Sequence, residues 1–449
     1  MSMRIVQLVP GSGNFYCENC LRDSLLVDSL RRMGHDVQVV PLYLPITFEG
    51  RMAADERIFF GGINCYLQQR SPLFRLLPAW MDRPLNSPRL LRRLVGQSSL
   101  VDASLHGEMT LSMLRGPAGR QAKELRRLVK YLKSLPRPDV LCLPNALLLG
   151  LAGPLRRELD CPMVCVLRDE EVWLDQLGEA YADPCWQLMR QAAADVDAFI
   201  APSDYYRERM VQRLGLDGSR VHRLGDGIDL HLPLPAPPPT DRPIIAYVSQ
   251  IAHERGLDLL LEAAALLRQR GLADLELRVC GSPAAGSQPY LQQVRSQAVR
   301  LGLEDCITFV GDLSRDERRA FLSQASVVCV PSRRGEAFGL FALESIACGT
   351  PVVLPRHGAF VELVEQTGGG LLHEVGNVDS IAEKLQSLLA DPHQARAMAR
   401  CAQSVVAARF EISMAAAALV KLFETLRQGP VAGNGPAPVT GGSNAAGTP

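Results

Sequence analysis

Residues 331–353 read PSRRGEAFGLFALESIACGTPVV, and this stretch decides the fold class of the chain. An apolar run, Ala325–Val330, comes before it, and a second one, Pro351–Leu354, begins after a Cys-Gly-Thr turn. The order strand, turn, helix and strand is the repeating unit of a parallel sheet covered by helices. In such a sheet, the turn and the helix start lie at the carboxyl ends of the strands, where ligands bind.

Two glutamates within this stretch, Glu336 and Glu344, are separated by seven residues. Glu336 lies in the turn and Glu344 lies in the predicted helix, so the helix start lies between them. The free N–H groups there suit a phosphate, and carboxylates accept hydrogen bonds from hydroxyl groups. The arrangement therefore suits a sugar on one side and a ribose on the other. The alternative is a solvated helix face that carries two unrelated glutamates.

The bulk composition is that of a globular protein of two or three domains, with 449 residues, 47% of them hydrophobic, and a formal net charge of +0. No basic excess favours nucleic acid as a partner. Twelve cysteines are scattered along the chain, several of them in apolar runs, which is typical of buried thiols in a reducing compartment. We expect a cytoplasmic protein, because the N-terminus begins a strand and no uninterrupted apolar run is long enough for a membrane span.

Apolar runs alternate with amphipathic helical stretches in two successive sets, which predicts an α/β protein with two Rossmann-like, doubly wound parallel sheets and a cleft between them. We place the N-terminal domain at residues 1–231, with an irregular insert at about 46–137, and the C-terminal domain at 244–408. The remaining segments are a proline-rich linker at 232–243, an amphipathic helix at 409–428 and a Gly/Pro/Ala-rich tail at 429–449, which we expect to be disordered.

The strand predictions follow the short apolar runs of the two sets. In the N-terminal domain they are Arg4–Val9, Asp36–Pro41, Asp139–Leu143, Pro162–Leu167, Ala198–Ala201 and Val221–Arg223. In the C-terminal domain they are Ile244–Val248, Leu275–Cys280, Cys306–Val310, Ser326–Val330, Pro351–Leu354 and Gly370–His373.

In their strand-turn-helix setting, the two glutamates resemble the E-x7-E motif of the retaining glycosyltransferases of family 4, which have the GT-B fold. The resemblance covers about residues 3–427 and is strongest in 244–390. It implies transfer of a sugar from a nucleoside diphosphate to an acceptor hydroxyl with retention of the anomeric configuration. It implies no metal and no other cofactor, because the helix dipole and basic side chains act at the leaving diphosphate. It also implies that the last helix crosses back to the N-terminal domain.

The resemblance further implies a role for each residue of the motif. Glu336 would hold hydroxyls of the transferred sugar, and Glu344 would hold the hydroxyls of the ribose. The amides of Phe338, Gly339 and Leu340 would bind the diphosphate. The leaving phosphate itself would accept the proton of the acceptor hydroxyl, so the resemblance implies no separate general base.

A glycine-rich turn with Gly11 and Gly13 follows the first predicted strand. Glycine in such a turn lets the backbone approach a phosphate or a sugar closely. The turn resembles the loop of family 4 that closes over the donor phosphates and the acceptor. Cys17 and Cys20 come next; they pack at the start of a helix or, as the alternative, have a redox or metal-binding role.

Family 4 commonly has Gly-Arg-Leu at the start of the second domain and a lysine five residues later, and both cations clamp the donor diphosphate. Here Ser249 and Gln250 stand in the place of Gly-Arg, and Arg255 stands in the place of the lysine. Arg255 keeps a catalytic cation, or it is a surface residue at a helix start. Gln250 is uncharged, so one of the two cations at the diphosphate is missing. Either Arg333 or Arg334 replaces that cation, or catalysis is weak or absent.

Many members of the family have a histidine at the end of a first-domain strand that reaches the transferred sugar. Arg168 occupies that place here, and the acidic residues Asp169 and Glu170 follow it. The resemblance makes Arg168 and Asp169 candidate catalytic residues, and one of Asp169 and Glu170 would contact the donor sugar or the acceptor. The alternative is a solvated loop after a strand.

Four turns after predicted strands carry further candidates. Gly281 and Gly311 match turns of the family whose backbone lies near the nucleotide. Ser203 is a helix N-cap, and Gly227 is expected to have a positive φ in a turn beside the cleft.

The acceptor remains open between a glycan, a lipid-linked molecule and a small molecule. In the helical stretch Gln121–Ser134, one face carries Lys123, Arg126, Arg127, Lys130 and Lys133. It is either a solvated surface or a peripheral docking face for an anionic membrane that presents a lipid-linked acceptor. Two alternative functions stay open: a sugar-nucleotide epimerase of the same fold and a non-catalytic nucleotide-sugar-binding protein.

Overall fold

The computed structural model of the chain describes residues 2–10, 18–43, 47–48, 51–52, 57–76, 103–230, 242–284 and 286–428. The glycine turn with Gly11 and Gly13, as well as Cys17, lies outside the described residues. The same holds for most of the predicted linker and for the whole predicted tail, and the side chain of Cys20 is not described either. These predictions therefore stay predictions.

The strands are short, and those of the two main sheets are largely buried. In chain order they are β1 (Arg4–Val9), β2 (Asp36–Pro41), β3 (Thr47–Phe48), β4 (Arg51–Met52), β5 (Val140–Leu143), β6 (Met163–Val166), β7 (Ala198–Ala201), β8 (Val221–Arg223), β9 (Ile244–Val248), β10 (Glu276–Cys280), β11 (Ile307–Gly311), β12 (Val327–Cys329), β13 (Val352–Pro355) and β14 (Gly370–His373).

Helices cover the sheets. Among the described residues they are α1 (Glu18–Arg32), α2 (Gly62–Arg70), α3 (Pro72–Leu76), α4 (Ala103–Leu114), α5 (Ala122–Ser134), α6 (Ala152–Leu159), α7 (Glu170–Asp175), α8 (Glu179–Ala192), α9 (Asp204–Leu214), α10 (Leu257–Gln269), α11 (Gln288–Arg300), α12 (Arg315–Gln324), α13 (Leu340–Ala347), α14 (Ala359–Thr367), α15 (Val378–Ala390), α16 (Pro392–Arg409) and α17 (Ile412–Gln428). Within the described part of the chain, no helix has the length and apolar character needed to cross a membrane.

Twelve of the described strands form two six-stranded parallel sheets, one in each domain, which confirms the predicted fold class; β3 and β4 form a separate antiparallel pair. The N-terminal sheet has the order β2-β1-β5-β6-β7-β8, and the C-terminal sheet has the order β11-β10-β9-β12-β13-β14. In the C-terminal sheet the strand order reverses between β9 and β12. The crevice at such a switch point is where ligands bind in doubly wound sheets, so the loops after β9 and β12 mark the candidate site.

The predicted strands agree closely with the observed ones. Half of them match to the residue; of the others, two differ by one residue at one end and four differ by one residue at both ends. Pro162 and Pro351 were predicted to begin strands, but the strands begin one residue later. Proline has no backbone N–H and cannot donate to the sheet. At these two starts the apolar run therefore extends one residue before the hydrogen-bonded strand.

The chain crosses between the domains at two adjacent places. Ile228 pairs with Glu411, and the amide of Ile412 donates to the carbonyl of Ile228 at 2.9 Å. Beyond this point α17 packs on α1 of the N-terminal domain, as predicted for the crossover helix. The positive φ expected for Gly227 is wrong, since Gly227 is not among the positive-φ glycines. Glycine is needed there because a Cβ would lie 2.6 Å from the Cα of Ile412.

The basic face predicted for α5 is only partly solvated. Lys123 is buried, with Nζ 3.5 Å from the carbonyl oxygen of Phe74. Arg127 pairs with Glu124, which is fully buried and also accepts a hydrogen bond from Asn64 at 2.8 Å. The exposed cations of this helix are Arg126, Lys130 and Lys133.

Candidate active site

The loop that carries Glu336, residues 331–339, connects β12 to α13 at the switch point. It enters the helix through Gly339, whose φ of +94° favours glycine. A Cβ on Gly339 would also lie 2.5 Å from the ring of Phe360. The helix begins at Leu340 and is buried along its whole length. The predicted diphosphate-binding amides of Phe338, Gly339 and Leu340 therefore lie at a helix N-terminus, where the backbone favours an anion.

Glu336 and Arg255, two of the predicted catalytic residues, are neighbours. Nη1 of Arg255 contacts Oε1 of Glu336 in an ion pair. Arg255 ends the 3-10 turn His253–Arg255 that follows β9, so the pair joins the two loops of the switch point. The side chain of Arg255 is 29% exposed and that of Glu336 is 8% exposed. The more exposed guanidinium can therefore contact a phosphate oxygen while it still neighbours the carboxylate.

Glu344 forms a two-point ion pair with Arg318 of α12, which the sequence analysis did not single out. Nε and Nη2 of Arg318 donate to the two carboxylate oxygens of Glu344 at 3.0 and 2.8 Å. Both side chains are almost fully buried. The sequence contains an indication that Arg318 is buried. Arg318 lies three residues before Phe321 and four before Leu322, which places it on the apolar face of its helix.

The predicted donor-binding residues at the carboxyl ends of β9, β10 and β11 lie at the same edge of the C-terminal sheet. Gln250 is exposed after β9. The amide of Ser249 donates to the carbonyl of Cys280 at 3.2 Å, and the amide of Gly281 donates to the carbonyl of Gly311 at 2.8 Å. These hydrogen bonds hold the loops after β9, β10 and β11 side by side, next to the Glu336 loop.

The two arginines considered as substitutes for the missing cation at position 250 differ in their partners. Arg333 is bound to Asp258 through Nη1 and Nη2, at 2.8 and 2.6 Å. The Nη1 atom of Arg334 is buried and has no hydrogen-bond partner among the described residues. Of the two, Arg334 therefore has the donor capacity that a phosphate would use.

Arg168, at the position of the family histidine, is bound inside the N-terminal domain. Its Nη2 atom donates to Oδ1 of Asp23 on α1 at 2.6 Å, and both side chains are almost fully buried. The pair joins α1 to the loop after β6. Its role as a catalytic residue stays a prediction.

Asp169, the next predicted catalytic residue, reaches the Glu336 loop. Its Oδ1 atom accepts a hydrogen bond from the amide of Ala337 at 2.8 Å. Burial, together with the charge of Glu171, raises the pKa of Asp169 to about 6. Ser203 caps α9, as predicted, and its Oγ atom also donates to the carbonyl of Ala337 at 2.6 Å.

The acidic residues after Asp169 form a buried cluster around Tyr206. Its hydroxyl lies 2.6 Å from Oε2 of Glu170 and 2.6 Å from Oε2 of Glu171. The single hydroxyl proton can be donated to only one of the two carboxylates at a time. Burial raises the pKa of Glu170 to about 7, well above the ordinary value of a glutamate.

Arg22 of α1 is a second residue that the sequence analysis missed. It pairs with Asp226, with Nε 2.9 Å from Oδ2. Its guanidinium carbon also lies 5.6 Å from the ring centroid of Phe338, in a cation–π geometry. Nothing in the local pattern of α1 distinguishes Arg22 from a surface arginine, because both partners lie far along the chain.

Two family models match the chain. The one described as Glycosyltransferase Family 4 matches residues 106–232, and the one described as Glycosyl transferases group 1 matches residues 235–405. A D-inositol 3-phosphate glycosyltransferase of Kribbella flavida is 33% identical over 224 residues, which are 47% of this chain and 53% of that protein. A GDP-mannose-dependent alpha-(1-6)-phosphatidylinositol monomannoside mannosyltransferase of Mycolicibacterium smegmatis is 30% identical over 267 residues, 56% of this chain and 67% of that protein. The chain spans about half to two thirds of the length of these relatives.

Solved structures agree on the fold. HepE of Anabaena, in complex with UDP and glucose, superposes with a TM-score of 0.67 at 17% identity, covering 94% of this chain and 100% of that one. Sucrose-phosphate synthase of Thermosynechococcus elongatus gives a TM-score of 0.68 at 19% identity, covering 94% of this chain and 98% of that one. Together, the two parallel sheets, the family models and the relatives show that the chain belongs to the GT-B glycosyltransferases of family 4.

Proposed function

We propose that this chain transfers a sugar from a nucleoside diphosphate donor to an acceptor hydroxyl, with retention of the anomeric configuration and without a metal. The observation that carries the proposal is the placement of two buried carboxylates, Glu336 and Glu344, around the N-terminus of α13. Each carboxylate is paired with an arginine, Arg255 or Arg318. On each side of a helix N-terminus that can bind an anion, the arrangement therefore places a carboxylate that accepts hydrogen bonds from hydroxyl groups.

In this proposal the ribose of the donor lies at Glu344. Arg318 donates one hydrogen bond to each carboxylate oxygen, and each oxygen keeps a lone pair for a ribose hydroxyl. The diphosphate lies at the N-terminus of α13, next to Arg255 and Arg334. Arg334 supplies the charge that Gln250 does not, because its buried Nη1 atom has no hydrogen-bond partner among the described residues.

During transfer, the bond between the anomeric carbon and the diphosphate oxygen breaks, and its electron pair stays on the leaving phosphate. The acceptor oxygen bonds to the same face of the anomeric carbon, and its proton passes to an oxygen of that phosphate. Arg255, Arg334 and the helix dipole stabilise the growing negative charge. Glu336 accepts hydrogen bonds from hydroxyls of the transferred sugar and so fixes the position of the anomeric carbon.

The names of the relatives indicate which substrates to propose. One relative is named for GDP-mannose and phosphatidylinositol monomannoside, another for D-inositol 3-phosphate, and HepE contains UDP and glucose. We therefore propose a GDP- or UDP-linked hexose as donor and an inositol-bearing molecule as acceptor, in the cytoplasm. If the acceptor is lipid-linked, the exposed Arg126, Lys130 and Lys133 provide a peripheral contact with an anionic membrane surface.

Thermal denaturation of the full chain with UDP, GDP and ADP, and with their sugars, tests the donor site. A ligand at about 100 times its Kd adds about 2.7 kcal/mol to the free energy of unfolding. We expect one nucleotide and its sugars to raise the Tm of the wild type, and Glu344→Gln to lose most of that shift. Glu365→Gln, at an exposed position in the same domain, is the matched control and should keep the shift. No shift with any nucleotide would contradict the donor site.

One observation favours a second candidate function, a non-catalytic protein that binds a nucleotide sugar. Gln250 stands where the family has an arginine, so one cation is missing at the leaving diphosphate. This candidate predicts a Tm shift with a nucleotide sugar but no turnover of it. Release of free nucleoside diphosphate by the wild type would exclude the second candidate.

A further inference from the structure

The loop that carries Glu336 belongs to the C-terminal domain, but the N-terminal domain holds its backbone. Asp169 accepts a hydrogen bond from the amide of Ala337 at 2.8 Å, and Ser203 donates one to its carbonyl at 2.6 Å. Ala337 follows Glu336 directly and is fully buried in a hydrophobic cluster of the N-terminal domain. Both polar backbone groups of Ala337 are thus bound across the domain boundary. We call these two hydrogen bonds the Ala337 clamp.

Asp169 makes its half of the clamp from an unusual backbone conformation. Its φ is +52°, in the left-handed region that side chains other than those of asparagine and aspartate rarely adopt. It stands at the N-cap of α7, yet its side chain makes no capping hydrogen bond to that helix. Such a conformation is less favourable than ordinary backbone and persists where the surrounding structure requires it. Local capping therefore does not explain the direction of this carboxylate, whereas the contact with Ala337 does.

Ser203 uses both hydrogen-bonding functions of its hydroxyl. As the N-cap of α9 it accepts from the amide of Tyr206 at 3.1 Å. An N-cap needs only an acceptor, so the hydroxyl proton is available for another partner, and it is given to the carbonyl of Ala337. The side chain is 2% exposed, which excludes water as a competing partner.

The peptide group between Glu336 and Ala337 is also held from the C-terminal domain. The amide of Ala359, at the start of α14, donates to the carbonyl of Glu336 at 3.1 Å. The N–H of that peptide group is bound by Asp169. Its two polar groups therefore bind opposite domains. The backbone of Glu336 cannot rotate without breaking one of these hydrogen bonds.

We propose that Asp169 and Ser203 are positioning residues for Glu336: through the Ala337 clamp they fix the Glu336 loop when the two domains are together. The role that this proposal gives to Glu336, binding of the transferred sugar, rests on the proposed function. Recognition of the transferred sugar then depends on domain closure. As a consequence, an open, water-filled cleft does not hold the donor in a reactive geometry. Asp169, which the sequence analysis placed among the catalytic residues, acts through Glu336 instead.

Amide hydrogen exchange on the ligand-free full chain tests the clamp without any substrate. The reading is taken from a peptide that covers residues 331–340, and a peptide that covers β13 serves as the internal control. We expect exchange of the Ala337 amide to become at least about tenfold faster when its hydrogen bond is removed, because exchange follows local opening. The exchange of β13 should stay unchanged.

The variants separate the clamp from local structural roles. Asp169→Gly removes the carboxylate and tolerates the positive φ, whereas Asp169→Asn keeps an acceptor and should behave like the wild type. Ser203→Asp keeps an acceptor for the cap but loses the donor to Ala337, and Ser203→Thr keeps both. We expect faster exchange in Asp169→Gly and Ser203→Asp only. Wild-type exchange in Asp169→Gly, or in Ser203→Asp, would overturn the clamp.

Kinetics of donor cleavage then test the positioning role. In Asp169→Gly and Ser203→Asp, we expect the kcat for nucleoside diphosphate release to fall about tenfold to a hundredfold, with nucleoside diphosphate affinity within about threefold of the wild type. Asp169→Asn and Ser203→Thr should retain kcat. Faster exchange with unchanged kcat would overturn the positioning role. If the wild type cleaves no donor at all, the proposed function fails, and the exchange data still decide whether the clamp exists.

Discussion

The buried ion pair between Arg318 and Glu344 predicts a large loss of stability when one partner is removed. The two hydrogen bonds measure 3.0 and 2.8 Å, and the side chains are only 3% and 9% exposed, so both charges are almost fully desolvated. Arg318→Met fills a similar volume but leaves the charge of Glu344 buried without this partner. Breaking such a pair costs about 3–5 kcal/mol. We expect the free energy of unfolding to fall by that amount.

A double variant separates the structural role of the pair from its role in binding. When a buried ion pair is replaced by apolar side chains of similar volume, stability is often unchanged or higher. Arg318→Met combined with Glu344→Leu should therefore lie within about 2 kcal/mol of the wild type. The same protein should bind a nucleoside diphosphate at least about tenfold more weakly, because the ribose loses a charged acceptor worth about 1.5–3 kcal/mol.

Urea denaturation followed by circular dichroism gives the stability, and calorimetry gives the nucleotide affinity. Arg270→Met is the control, because its pair with Asp379 is exposed and such pairs contribute at most about 1 kcal/mol. A loss below about 1 kcal/mol for Arg318→Met would refute the reasoning that this pair is desolvated. Unchanged nucleotide affinity in the stable double variant would refute the place of the ribose at Glu344.

Three further predictions concern the charges of the site. Arg334→Gln should lower the kcat for nucleoside diphosphate release about a hundredfold, as loss of a preorganised donor to the leaving group does; an effect below about threefold in a kinetic assay would exclude Arg334 from the diphosphate site. Gln250→Arg should change kcat by less than about threefold if Arg334 compensates, whereas a gain of about a hundredfold would show that the wild type lacks an essential cation. The pKa of Glu170 is raised by burial from 4.5 to about 7, so the folded protein binds its proton more tightly and stability falls as pH rises through that interval. Relative to the wild type, Glu170→Gln should therefore gain roughly 3 kcal/mol between pH 4.5 and 7 in urea denaturation, and parallel pH profiles would contradict the raised pKa.

The sheets could be predicted from the sequence because the pattern that forms them is local. A parallel strand that is covered on both faces appears in the sequence as a short apolar run. For β9, the first and last residues of the strand are those predicted from its run. The positions of Glu336 and Glu344 are local as well, since a turn and one helix fix both. Their spacing, within the local strand-turn-helix pattern, therefore places them around a helix start.

Long-range pairing could not be predicted in the same way. Asp169 and Ala337 are 168 residues apart in sequence, and Arg318 and Glu344 are 26 apart. Which arginine pairs with which acid depends on how helices pack, and no spacing rule relates such partners. The error at Gly227 has the same origin: glycine is required there by the approach of Ile412, not by a local turn.

The anomeric configuration of the first sugar released from the donor tests the central claim most directly. With water as the acceptor, proton NMR during incubation of the full chain with α-linked UDP- and GDP-hexoses reports which anomer forms before mutarotation. The proposed function predicts release of nucleoside diphosphate from one of these donors, with the α-anomer formed first, and loss of this release in Glu336→Gln. Formation of the β-anomer first, or no release from any donor, would contradict a retaining glycosyltransferase.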